Sequence, residues 1–134
     1  MKPARPDMTW VLNDLVNFPG ARHAMILSAD GLAQFHSEHV TRDLADYMAA
    51  TGAGLASLCS SITKFASDTP TPWELNMTRT LGGFVFVIAA GEGSLLIASS
   101  QRDVDIDAFS DRMEAVIGRM SSGLGVSARQ VGQG

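Results

Sequence analysis

Partway along the chain the spacing of apolar residues changes, and that change limits what the chain can fold into. From Thr41 onward, Leu44, Tyr47, Met48, Thr51, Leu55, Leu58, Cys59 and Ile62 recur every three or four residues, the pattern of a long amphipathic helix. Thr41 and Asp43 can cap its start, and the breaker-rich stretch 68–72, with two prolines, ends it. On both sides of this segment the pattern is that of strands. Residues 24–27 and 32–35 are short apolar runs separated by Ser28-Ala29-Asp30-Gly31, and Asp-Gly between such runs predicts a hairpin because the tight turn needs positive φ. Residues 73–78 alternate apolar and polar, as a strand with one wet face does. Residues 84–88 and 94–99 read as buried strands joined by the turn Gly91-Glu92-Gly93. Strands joined by such short turns must run antiparallel.

A short helix precedes the first strand. Its apolar positions are Val11, Leu12, Leu15 and Val16, Asp7 or Thr9 can cap it, and Phe18-Pro19-Gly20 ends it. A last helix carries the stripe Ile106, Phe109, Met113, Val116, Ile117 and Met120. The order is therefore α-β-β-α-β-β-β-α, and helices laid on an antiparallel sheet make an α+β sandwich. With 134 residues the chain is one domain's worth of sequence, of which about two-thirds of the surface is buried on folding. We divide it into a flexible lead-in at 1–7, one domain at 8–121, and a flexible glycine-rich tail at 122–134.

Composition removes several classes of function. A net charge of −4 argues against a phosphate-backbone binder. The longest apolar run, residues 84–90, is far shorter than the roughly 20 residues of a membrane span. A single cysteine, Cys59, cannot close an internal disulfide, and there is no secretory apolar segment, so the expected compartment is the cytoplasm.

The search for catalytic, cofactor or metal residues assigns none. Asp103, Asp105, Asp107, Asp111 and Glu114 approach the spacing of a calcium loop, but Ala108 stands where that loop needs glycine. Acids in a first helical turn that complement the dipole or cap it are the simpler account. Cys59 lies on the apolar side of the long helix, well past its N-terminus, and reads as a small buried hydrophobe. His23, His36 and His39 lack a second ligand pair and an oriented nucleophile, and read as solvated side chains. Gly82-Gly83 and Gly91-x-Gly93 match no nucleotide-binding pattern.

One surface feature is left. The long helix has a second face of Ala45, Ala49, Gly52, Ala56 and Ser60, all small. Small residues let a helix backbone approach a neighbour closely, and that neighbour is either a partner helix or the protein's own sheet. The larger stripe of Leu44, Met48, Leu55, Leu58 and Ile62 offers more area to the sheet, which leaves the small face for a partner.

Element order and several phrases together resemble the roadblock family, named for its dynein light-chain members. The phrases are Trp10-Val-Leu-Asn-Asp-Leu15, Pro19-Gly20-Ala-Arg-His-Ala24, Ser28-Ala-Asp-Gly31 followed by Leu32, and Leu81-Gly-Gly-Phe-Val-Phe-Val87. The resemblance covers residues 8–121 and is greatest to roadblock proteins of actinobacterial conservons. Those gene cassettes also encode a membrane histidine kinase, a small Ras-like GTPase and a further small protein. It implies a profilin-like, five-stranded antiparallel sheet with the long helix on one side and the terminal helices on the other. It also implies a homodimer in which the long helices, here 44–65, pack together while the middle strands, here 73–79, meet edge to edge. The expected dimer residues are thus Ala45, Ala49, Gly52, Ala56 and Ser60 on the helix, with Trp73, Leu75 and Met77 on the strand. Family members scaffold or regulate Ras-like GTPases and carry no catalytic residues of their own. For the GTPase contact we choose Arg42, Asp46 and Lys64. The reading is a non-enzymatic dimeric adaptor of a small GTPase near a sensor kinase, placed at the inner face of the membrane through its partners. The alternative is a small-ligand sensory module, which would need polar groups converging on a concave apolar site.

Overall fold

The structure, a computed structural model, describes residues 7–133, with side chains described for residues 7–121. The lead-in expected at 1–7, Asp7 apart, and the tail expected at 122–134 lie outside the residues described in full. The elements are α1 (Thr9–Val16), β1 (Ala21–Ser28), β2 (Ala33–His36), α2 (Arg42–Ile62) continued by a 3-10 turn at Thr63–Phe65, β3 (Leu75–Arg79), β4 (Phe84–Ala89), β5 (Ser94–Ser100) and α3 (Ile106–Gln133). The five strands form one sheet in the order β2-β1-β5-β4-β3, antiparallel at every step. The expected order of elements and the α+β sandwich are both present.

Local chemistry accounts for the element boundaries. The Thr41 side chain accepts a hydrogen bond from the Leu44 N–H at 3.1 Å and opens α2, as its position predicted. Asp7, just outside α1, accepts from the Thr9 N–H at 2.9 Å, which holds its carboxyl below the usual carboxylate range. The β1–β2 hairpin turns at Gly31, whose φ of +93° is open to glycine at little steric expense. Between β4 and β5 all three turn residues are left-handed, Gly91, Glu92 and Gly93 having φ of 72°, 54° and 72°. Strand β3 starts at Leu75 rather than at residue 73. Pro70 and Pro72 lack N–H groups for a ladder, and the Trp73 side chain packs inward instead.

Strand alternation splits the core into two layers. Ile26, Leu96, Ala98, Phe84 and Phe86 face α1 and α3, where they meet Leu12, Leu15, Phe109, Met113, Val116 and Met120. Phe109 sits at the centre of that layer, its ring centroid 5.4 Å from Phe18 and 5.7 Å from Phe86. On the other face Met25, Leu27, Val87, Leu95 and Ile97 meet α2. At the end of β2, the Ser37 hydroxyl accepts from the Ala24 N–H at 3.0 Å, while the Ser37 N–H donates to the Ala24 carbonyl at 2.8 Å. That side chain closes the β1–β2 ladder and is buried with its hydrogen bond made.

Candidate functional site

The two faces of α2 are the reverse of the expectation. Ala45, Ala49, Gly52 and Ala56 are buried in this chain's own core, against Met25, Leu27, Val87, Leu95 and Ile97. They cannot be the surface offered to a partner, and Ser60, the remaining member of that face, is exposed. The reason is volume. The sheet presents large side chains here, so the helix approaches only where its own are small. A Cβ placed on Gly52 would come within 2.6 Å of Ile97 Cδ1. The larger stripe divides accordingly. Met48 and Leu55 are half-buried against the α2 layer, whereas Leu58 and Ile62 are 68% and 67% exposed and Leu44 is exposed as well.

Tyr47 and Phe65 join that outward surface, at 68% and 98% exposure. At about 100° per residue, Tyr47, Leu58 and Ile62 fall within about 60° of one another around the helix axis. Together they make an exposed apolar stripe along the outer side of the helix. Sequence reasoning singled out Leu58 and Ile62 but sent them to the sheet, and it gave Phe65 no role beyond ending the helix. The signal that could have corrected it is the run of large residues in β1, β4 and β5, which leaves no room for a second large layer.

At the sheet edge, β3 offers unpaired backbone groups along its outer side. Its apolar side chains do not share a face with α2. Met77 pairs with Phe86 and Leu75 with Ile88, so both belong to the α1–α3 side, where each is about half exposed. Asn76 and Thr78, opposite Val87 and Val85, are on the α2 side. Trp73 is half-buried in the α2 layer. Among the expected strand residues, Leu75 and Met77 therefore remain exposed beside the open edge, while Trp73 serves the core.

Arg42, Asp46 and Lys64 are all exposed, yet they do not form one patch. Arg42 and Asp46 are a turn apart at the start of α2. Lys64 lies 22 residues beyond Arg42, about 30 Å along a helix.

The residues weighed for chemistry are also placed. Cys59 is buried on α2. Asp105 accepts from the Ala108 N–H at 3.2 Å and caps α3, and Asp107, Asp111 and Glu114 follow on the helix, so the calcium-like spacing belongs to a helix start. His36 and His39 lie at and after the end of β2, with His39 Nε2 3.4 Å from Glu38 in solvent. His23 departs from the expectation of a solvated side chain. It lies on the α2 side of β1, its Nδ1 is buried without a hydrogen-bond partner, and desolvation, then the positive charges of Arg22 and His39, lowers its pKa. Beside it is a cleft of about 180 Å³ whose lining is apolar, from Met25, Val40, Leu44, Met48 and Ile97, apart from His23 and Ser99. No group of three or more His, Cys, Asp or Glu suited to a metal occurs among the described residues, and none of their helices is long and apolar enough to cross a membrane.

The Roadblock/LC7 domain model matches residues 9–100. The crystal structure of a Roadblock/LC7 domain from Streptomyces avermitilis is 27% identical with a TM-score of 0.82, covering 89% of this chain and 98% of its own. Myxococcus xanthus MglB has the same fold at 10% identity, TM-score 0.75, with 86% and 92% of the two chains covered. Acanthamoeba castellanii profilin IB shares it at 16% identity, TM-score 0.61, with 86% and 96% covered. A search of curated proteins gives no match.

Proposed function

The chain belongs to the Roadblock/LC7 domain family, and on that premise we propose that it is a non-enzymatic, dimeric adaptor that regulates a small Ras-like GTPase. The observation that carries the dimer is the outward stripe of α2 and its 3-10 extension, Tyr47, Leu58, Ile62 and Phe65, which nothing among the described residues covers. A second copy related by a two-fold axis supplies the same stripe and so covers it with itself. The open edge of β3 joins its mate in the same operation, with Leu75 and Met77 flanking the seam. A stable contact of this kind buries on the order of 800 Å² per copy.

The GTPase partner rests on the resemblance to roadblock proteins. We place its contact at the exposed start of α2, around Arg42 and Asp46, and leave out Lys64, which is too distant to share it. Charges there steer encounter, so binding weakens with salt. From the resemblance to conservon roadblock proteins we also place a membrane histidine kinase upstream and the chain in the cytoplasm, at the membrane's inner face through its partners. The competing small-ligand reading called for converging polar groups, and the cleft beside His23 offers little besides its imidazole and the Ser99 hydroxyl. Two measurements test the proposal. Sedimentation of the wild type should show a dimer, and a monomer at micromolar concentration overturns that half. Purified candidate GTPases in GDP and GTP forms should include one that binds in a nucleotide-dependent way. Failure of all of them, with saturable binding of a small metabolite, would favour the sensory module.

A further inference from the structure

The side of the molecule away from α2 carries an exposed tryptophan that the preceding reading does not use. Trp10, in the first turn of α1, is 60% exposed, although its neighbours Val11 and Leu12 are buried. Over its ring stands the guanidinium of Arg119 from α3, 4.7 Å from the centroid. Two turns earlier on α3, about 10 Å away, the Arg112 guanidinium lies 5.9 Å from the Phe18 centroid and 3.9 Å from Asp14. Between them, α1 and α3 leave a groove of about 250 Å³, floored by Val11, Leu15 and Val116 and edged by Asp14, Arg112 and Arg119.

We propose that this groove docks an acidic segment of a partner protein, with Arg119 taking a carboxylate while Trp10 takes a neighbouring apolar side chain. Stacking on an indole holds the guanidinium plane in place and leaves its N–H fork free, the arrangement in which arginine binds carboxylates bidentately. Exposed tryptophan beside arginine is also the composition in which interface binding energy concentrates. Charge complementarity selects the occupant. The groove edge has two cations and one anion in a chain of net charge −4, and the Arg112–Asp14 pair is long and open to solvent. A short acidic peptide sees that local positive excess. An extended polyanionic surface, such as a phospholipid bilayer, would also meet Asp107, Asp111 and Glu114 on the same helix. Because α1 and α3 lie on the sheet face opposite α2, the groove does not depend on the dimer proposed above.

The test is a selection of random displayed peptides on the full chain, with the Trp10→Ala, Arg119→Gln double variant as counter-selection. Both substitutions are on the surface, and a thermal melt confirms that the variant is folded. The expected winners carry net negative charge and an aromatic or aliphatic residue, and are lost on the double variant. Synthesised, one should change Trp10 fluorescence in a Trp73→Phe background. Its affinity should fall about tenfold with Arg119→Gln, the scale of a charged hydrogen-bond pair, and less with Arg119→Lys. Winners that are neutral or basic, or that bind the double variant equally, overturn the proposal. So does Arg119-dependent binding of phosphatidylglycerol vesicles, which would assign the groove to a membrane.

Discussion

The two faces of the central sheet solve the same packing problem in opposite ways. Toward α1 and α3 the core is thick, built where Phe109 inserts between Phe18 and Phe86 and is closed by Leu12, Leu15, Met113 and Met120. Toward α2 it is thin, since Ala45, Ala49, Gly52 and Ala56 bring the helix backbone down onto the large side chains of β1, β4 and β5. The thick layer draws its stability from aromatic area that both sides supply. The thin layer takes most of its area from the sheet, which frees the large side chains of α2 to point outward. A helix seated this way meets the sheet by its backbone and turns Tyr47, Leu58 and Ile62, with Phe65 just beyond its end, outward.

If the layers differ as described, substitutions should divide by layer. The largest loss is expected for Phe109→Ala, about 3–5 kcal/mol by chemical denaturation, because a fully buried ring leaves a cavity between two aromatic neighbours. A loss below about 1 kcal/mol would mean that the thick layer collapses readily, and the contrast with the thin one would fail. Next is Ala49→Leu, the reverse operation on the thin layer, which should overpack it and destabilise by about 1–3 kcal/mol. If instead that variant keeps its stability and only its oligomeric state changes, the small face is turned outward after all. Thr41→Ala removes the cap of α2 and should weaken the fold by about 1 kcal/mol without altering the thick layer. Replacing Leu58 and Ile62 together by glutamate should leave the isolated fold within about 0.5 kcal/mol per site, as surface changes do. The same variant should sediment as a monomer.

The smallest effect expected is on pH. His23 is held below the ordinary imidazole value near 6.5, chiefly by desolvation, so below that pH the unfolded chain binds more protons than the folded one. Its contribution is complete above pH 6.5 and is lost progressively as pH falls through that value and then through the lower folded one. Thermal melts of the wild type and His23→Gln should therefore diverge slightly on acidification, with the wild type losing more. Parallel curves would place the imidazole in solvent.

Most of the fold could be read along the chain because local rules decide it. Asp30-Gly31 specifies a turn and Thr41 a helix start, while the alternation at residues 73–78 specifies a strand, which begins only at Leu75 and leaves its apolar Leu75 and Met77 exposed. The existence of α2 and the stripe of α3 followed from periodicity, and the start of α2 from its cap, while its α-helical part ends at Ile62, before the breaker-rich stretch. The orientation of α2 did not, because the helix has two apolar faces and periodicity identifies faces without saying what each one meets. Area favoured the larger stripe for the sheet. The deciding quantity was the distance of backbone approach at Gly52 and Ile97, which depends on residues 45 positions apart in the chain. Trp10 and Arg119 were missed for a related reason. Each is ordinary on its own helix, and their juxtaposition exists only once α1 and α3 lie side by side.

The sheet's two outer strands are unequal, and the inequality bears on growth. β2 has four residues, all half-buried, and its ladder with β1 ends at the Ser37 hydroxyl, whereas β3 runs five residues with an exposed flank. Edge-to-edge joining through β3 uses up the longer, accessible border of the sheet formed by the described strands. An assembly made in that way closes on itself after two copies and offers no template for a third. A sheet with two such borders could add copies without limit, and in a concentrated cell it would polymerise into filaments.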